Sequence, residues 1–186
     1  MTSRTLPPQA YLCECFEYNP ETGILKRRWR PRHHFASDAA WKSYNTRFAG
    51  DVCDSRAGKS GHLRANLDMQ HWPVHRLIWR METGEDPPTV DHWDHVTDNN
   101  VLTNLRGASK AENTRNMLGH ADRKYPSALK GAYRHRGQFM SFIGENGKQL
   151  YLGRFETEIE AHEAYCAAAR RIHGEFWHPG NRTNIP

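Results

Sequence analysis

Nowhere along the 186 residues does an apolar run reach the roughly eighteen positions that a membrane-spanning helix needs. Apolar residues as a class are sparse, at 37% with a mean hydropathy of −0.88, so the core is expected to be modest or divided between small units. Cysteine is equally thin. The four present, Cys13, Cys15, Cys53 and Cys166, show no CxxC pairing, which argues against a zinc knuckle. Their bland reading is four idle thiols in a reducing compartment; a structural zinc on Cys13, Cys15 and Cys53 is the competing one. The opening "MTSRTLPPQAYLCECF" lacks a charged start followed by an apolar stretch, so no secretion signal is expected and the chain reads as soluble and cytoplasmic. Internal repeats and low-complexity tracts are also missing.

What is present is charge and aromatic surface. The net charge is +5, the isoelectric point is near 9.1, and aromatic residues make up 11%, a combination that favours a polyanionic partner. "ILKRRWRPRHH" carries Lys26, Arg27, Arg28, Arg30 and Arg32 around Trp29 with no acid among them. Read as a strand, it is either a solvated edge protected by charge or a phosphate-contacting arm. The turn before it, "NPETG", has the Asn-Pro start and the glycine that a tight reversal needs.

Periodicity divides the rest. "GHLRANLDMQHWPVHRL" alternates on both sides of a turn near Asp68–Gln70 and predicts a hairpin. Val74, Leu77, Ile78 and Met81 follow at helical spacing, with Gly84 and Pro87–Pro88 as the stop. Ser109 with Glu112 forms a capping box and predicts a helix start; Thr157 with Glu160 forms a second, opening a helix to about residue 173. Between them, 118–126 is short, polar and rich in turn formers, which suits a linker. Three strand-like runs, 130–136, 138–144 and 148–155, precede the second helix, with "ENGK" as a hairpin turn. The expected fold class is α+β: a first part of mixed strands and helices, then a small three-stranded antiparallel sheet with one helix across its back.

The stretch with chemical potential is "VDHWDHVTDNN", which packs two histidines, three aspartates and two asparagines into residues 90–100. Such clusters occur in plain polar turns. They also suit phosphodiester hydrolysis, which requires a proton acceptor beside a cation that offsets charge on the phosphate. Histidine fits the first task, and a hard divalent ion takes carboxylate and amide oxygens. Adjacent side chains of a strand point to opposite faces, so Asp91 and His92 can serve one centre only if the strand ends or bends there. A second oxygen ligand must come from elsewhere, and Asn113, one turn into the helix after Ser109, can provide it if that helix packs across the two preceding strands.

Residues 74–116 carry, in order, His75-Arg76-Leu77, Asp91-His92, Asp98-Asn99-Asn100, Asn104-Leu105-Arg106 and Glu112-Asn113 with Asn116. This succession resembles the HNH endonucleases, in particular those of phages and self-splicing introns. The resemblance implies a ββα-metal fold, His92 as general base, and one Mg²⁺ (or Mn²⁺) per active site on Asp91 and Asn113. It implies that Asn104 braces the loop between two strands without touching substrate. His75 matches a recurring histidine whose part stays open between the site and a structural helix-end role, and His95 reads as a loop residue.

The C-terminal stretch, with Gly131, Ile143, Leu152-Gly153, Phe155, Thr157, Glu160-Ala161, Ala164-Tyr165, Ala168-Ala169 and Gly174, resembles the plant ethylene-response-factor (APETALA-type) DNA-binding domain. That family lays its sheet in the major groove, which is wide enough for a β-ribbon. The family's tryptophans are missing here; Phe139 and Tyr151 stand near their places, so no base preference transfers. Charge agrees with a sheet-side contact: residues 123–154 hold seven bases and only Glu145, whereas 155–178 hold five acids against Arg170 and Arg171.

Together these readings predict an HNH domain over 1–117 (core motif 74–116) with an N-terminal basic β-rich extension, a linker over 118–126, a DNA-binding domain over 127–178 and a tail over 179–186. The expected activity is metal-dependent cleavage of double-stranded DNA, of the homing type, in a phage-infected bacterial host, with a monomer favoured and no membrane partner. Expected DNA contacts are Arg27, Arg28, Arg30, Arg115, Arg134, Arg136, Gln138, Lys148, Tyr151 and Arg154. The alternative is a non-catalytic DNA-binding regulator that uses the HNH-like fold as scaffold.

Overall fold

A computed structural model describes residues 5–56, 61–116, 129–145, 147–177 and 179. The expected linker, 118–126, and most of the tail lie outside them. The chain divides into two compact units, 1–109 and 110–186. None of the helices formed by the described residues is long and apolar enough to cross a membrane.

The first unit begins with α1 (Gln9–Cys15), which leads straight into the hairpin β1 (Phe16–Asn19) and β2 (Ile24–Arg27). The "NPETG" turn joins the two strands, as its residues demand; Asn19 Oδ1 accepts from the Glu21 and Thr22 amides. The helix α2 (Asp38–Phe48) follows, capped by the Ser37 side chain accepting from the Ala40 amide. A three-stranded sheet comes next: β3 (Ser55–Arg56), β4 (Leu63–Leu67) and β5 (Gln70–Pro73), in the order β3-β4-β5. Asp68 and Met69 both adopt positive φ between β4 and β5, the conformation of a two-residue hairpin turn.

Pro73 then starts α3 (Val74–Thr83), and Gly84 ends it in the left-handed conformation. Its buried apolar positions, Val74, Leu77, Ile78 and Met81, are the ones the spacing predicted, and they sit in a core with Leu12, Phe16, Leu25, Leu67, Trp72, Val90 and Leu105. The unit closes with an antiparallel pair, β6 (Thr89–His92) and β7 (Leu105–Ala108).

One glycine decides how the N-terminal hairpin meets the rest. Gly23 has φ +71°, and a Cβ there would stand 2.7 Å from the Val101 nitrogen and 2.8 Å from the Asn100 carbonyl carbon. Both are backbone atoms that cannot swing aside. Gly23→Ala is expected to cost about 2–4 kcal/mol, from the left-handed backbone plus overpacking, read as a lower urea midpoint with an unchanged slope.

The structure corrects the basic N-terminal stretch. The strand stops at Arg27, because Arg30 turns inward and Pro31 opens a 3-10 turn over Arg32–His34. Arg30 is only 3% exposed. Its guanidinium donates to Tyr11 Oη, His34 Nδ1 and Asp68 Oδ1 and lies over the Phe35 and Tyr44 rings. Its backbone is held by Asn45 and Trp41. Arg30 is therefore a tie between α1, α2 and the β4–β5 turn, and its expected DNA contact is withdrawn. Arg27 is half-buried, while Arg28 stays exposed although its Nε donates to the Phe16 carbonyl.

The second unit starts with α4 (Lys110–Asn116), at the helix start that Ser109 predicts. It continues with β8 (Ala132–His135), β9 (Gln138–Glu145) and β10 (Lys148–Phe155), a sheet in the order β10-β9-β8. The capping box of Thr157 and Glu160 opens α5 (Glu158–His173). The helix packs on the sheet through Ile143, Tyr165, Ala168 and Ala169. Gly131, at φ +80°, lies against Tyr165, and a Cβ there would fall 2.1 Å from the ring. The chain thus combines helices and strands as expected, with a three-stranded antiparallel sheet and one helix at its C-terminal end.

Candidate active site

His92 is the last residue of β6, so the strand ends where the sequence argument requires it to. Asp91 and His92, both buried, face different neighbours. Asp91 pairs across the ribbon with Arg106, whose Nε and one terminal nitrogen donate to Asp91 Oδ2 at 3.1 and 3.0 Å. The Arg106 guanidinium also lies 4.5 Å from the centre of the Trp93 ring. The carboxylate is thus shielded from water and sits beside a fixed positive charge.

The His92 ring is held by Asn100, a residue the sequence reading noted only as part of a polar run. Asn100 is 1% exposed, and its amide nitrogen donates to the Asp98 carbonyl. That turns Oδ1 toward His92 Nε2 at 3.0 Å. An amide oxygen only accepts, so Nε2 carries the proton and the lone pair resides on Nδ1. Tyr18 secures the same loop from the N-terminal hairpin: its hydroxyl donates to the Asn100 carbonyl and accepts from the Leu102 amide. No local pattern around Tyr18 announces this, because the contact spans more than eighty residues of chain.

The loop between β6 and β7 has its own frame. Asn104 Oδ1 accepts from the Asp94 amide, while its Nδ2 donates to Asp94 Oδ1 and to the Asn99 carbonyl. Asp94 also accepts from the Val96 amide and from the Asn99 side chain. Burial pushes the Asp94 carboxyl up, but the bonds from Asn99, Val96 and Asn104 outweigh it and hold the group below the usual carboxylate range. Asp94 was missed in the sequence; the Asx-type spacing from Asp94 to Val96 is the signal that could have found it.

His75 stands in the first turn of α3, buried, and it faces His92 with ring centroids 5.0 Å apart. His62, just ahead of β4, completes a group of three, 4.9 Å from His75 and 5.5 Å from His92. Burial, then His92, His62 and Arg76, hold the His75 imidazole well below its ordinary range, and burial lowers His62 as well. His62 has no counterpart among the motif residues. His95 is a loop residue at positive φ.

Asn113 lies on α4 in the second unit and is half-buried; the Arg115 side chain lies outside the described residues. As donors, a carboxylate and an amide oxygen form the hard set that Mg²⁺ or Mn²⁺ accepts, and the buried Asp91 supplies the anionic member. The cysteines do not compete as ligands. Cys13 is exposed on α1, and burial pushes the Cys15 and Cys53 thiols up to about 11. Among the described residues, the groups able to hold a metal contain no cysteine.

In the C-terminal sheet, register sorts the residues expected to meet DNA. Tyr133, Met140 and Arg154 share one face, as do Phe142 and Tyr151, and the rings of Tyr133, Phe142 and Tyr151 form a row with centroids 5.8 and 5.2 Å apart. Gln138, paired with His135, lies on that outer face. Arg134 and Lys148 alternate onto the helix side near the ends of the sheet, although both are exposed, and Arg136 sits in the β8–β9 turn at positive φ. Strand alternation alone did not show the aromatic row, because it needs three strands in register.

Comparison with known proteins finds a likeness over the stretch that includes these residues. The HNH endonuclease family pattern matches residues 73–115, from the start of α3 to the first helix of the second unit. An uncharacterized HNH endonuclease, L560, of Acanthamoeba polyphaga mimivirus is 27% identical over 125 residues, which is 66% of this chain. The aligned part spans 64% of that protein's length. The segment carrying Asp91, His92, Asn104 and Asn113 is thus the part of the chain that is similar to the HNH endonucleases.

Proposed function

We propose that this protein is a metal-dependent DNA endonuclease of the homing type, with an N-terminal unit that cuts and a C-terminal sheet that adds contacts. The observation that carries the reading is the Asn100 bond to His92 Nε2, which commits one ring nitrogen and leaves a lone pair on the other. A buried histidine with a fixed tautomer is organised to take a proton, not merely to fill space.

His92 Nδ1 accepts a proton from water, and that water attacks the scissile phosphorus. Asn104 and Asp94 keep the β6–β7 loop in one shape, so His92 stays where β6 ends. Asp91, with Asn113, would hold a magnesium or manganese ion, which would supply positive charge to the phosphate and the departing 3′ oxygen. Arg106 orients the Asp91 carboxylate. Specificity comes from elsewhere, since phosphate chemistry is identical at every base step. The row of Tyr133, Phe142 and Tyr151 with Arg154 and Gln138 offers the second unit's groove-facing surface, and Arg28 adds phosphate contact from the first.

Supercoiled plasmid incubated with the protein and Mg²⁺ tests the reading. Nicked or linear product with 5′-phosphate and 3′-hydroxyl ends is expected, and a chelator should abolish it. Plasmid that is bound yet still supercoiled would mean a DNA-binding regulator.

A further inference from the structure

The oxygen donors proposed for the catalytic ion do not use a cluster of three histidines in the first unit. One ring nitrogen from each of His62, His75 and His92 lies within 4.8 Å of the others. We propose that these three histidines form a separate site for a zinc-type transition-metal ion, and that its occupancy shuts off cleavage by taking His92 as a ligand. The second half of this inference rests on the nuclease reading; the first half does not.

Two observations beyond proximity point to a ligand. His62 Nδ1 and His75 Nδ1 are buried and have no hydrogen-bond partner, and His75 is 7% exposed. A buried polar atom without a partner costs about 1–3 kcal/mol, a penalty that a bound cation removes. The donor chemistry then selects the ion. Three imidazoles with no carboxylate suit Zn²⁺, Co²⁺, Ni²⁺ or Cu²⁺ and disfavour Mg²⁺, which prefers oxygen.

The scaffold is also suitable. The three residues come from the loop before β4, the first turn of α3 and the end of β6. Ligands about 2.0–2.1 Å from a tetrahedral ion stand about 3.4 Å apart, so ring rotations alone can close the cluster. Three protein ligands leave a fourth position for water. His92 has one lone pair to give, because its Nε2 proton is shared with Asn100. Metal binding and water deprotonation therefore compete for the same atom.

The experiment uses the full, untagged chain in buffer containing excess Mg²⁺. Titration with Zn²⁺ in a calorimeter is expected to show one equivalent bound, and Co²⁺ to give the intense visible absorption of a tetrahedral site. X-ray absorption on the zinc-loaded wild type should count three imidazoles, a readout that needs no variant to fold. His62→Gln should weaken zinc binding by about tenfold or more, whereas Asp91→Asn should leave it within about twofold. In the plasmid assay, zinc should suppress Mg²⁺-dependent cutting, and the ratio of rates with and without zinc should move toward one in His62→Gln. Absence of zinc binding, fewer than three imidazoles, or zinc lost in Asp91→Asn but kept in His62→Gln would overturn the site. Zinc bound at the three histidines without suppression of an active wild type would overturn the regulatory half. A wild type that never cuts, yet binds zinc through three imidazoles, keeps the site and removes the nuclease reading.

Discussion

Replacing His92 with alanine is expected to lower plasmid cleavage by about 10²–10⁴-fold while DNA binding in a gel-shift assay stays near that of the wild type. The size follows from the role: without the imidazole, water must lose its proton to solvent. Binding is expected to survive because the proposed phosphate contacts are spread over arginines and lysines of both units. Asn100 gives an internal control. Asn100→Ala leaves His92 in place but removes the acceptor that fixes its tautomer, so a smaller fall is expected, together with a changed pH-rate profile. A His92→Ala protein that folds, binds and still cuts at the wild-type rate would end the assignment.

Asp91→Leu should have two separable effects. Cleavage falls by about 10²–10⁴-fold, since the anionic ligand for the divalent ion is gone and a loss of several kcal/mol of charge stabilisation is expected. Stability falls as well, because Arg106 and Asp91 have side-chain exposures of only 12% and 11%. Removing one member of such a pair strands a charge and typically costs about 3–5 kcal/mol. Adding Arg106→Leu removes the stranded charge, so the double variant should recover urea stability without recovering cleavage. Recovery of both would make Asp91 a structural carboxylate. Partial rescue of the single variant by excess Mg²⁺, measured in the same assay, would support its place as a ligand.

Much of the fold was legible because it obeys local rules. The spacing of Val74, Leu77, Ile78 and Met81 marks a helix, Gly84 ends it, and Thr157 with Glu160 starts another. The succession from His75 to Asn116 was legible as a family resemblance, and the family pattern matches residues 73–115. Arg30 was misread for the opposite reason. As one of five basic residues in the stretch it has no local mark of burial, and only the arrival of Tyr11, Phe35, Tyr44 and Asp68 around it makes a buried guanidinium tolerable. The helix α2 was overlooked although Ser37 caps it, because its apolar residues are too few to make a clear stripe.

By itself, then, the sequence determined several of the elements and the kind of chemistry its side chains could support. Folding alone decided which atoms meet: Asn100 on His92 Nε2, Tyr18 on the far end of the loop, and His62 beside His75 and His92. The physical reason is the range of the forces involved. Helix caps and strand alternation act over a few residues of backbone. Hydrogen bonds and imidazole contacts reach only a few ångströms through space, whatever the separation along the chain, so their partners are set by packing.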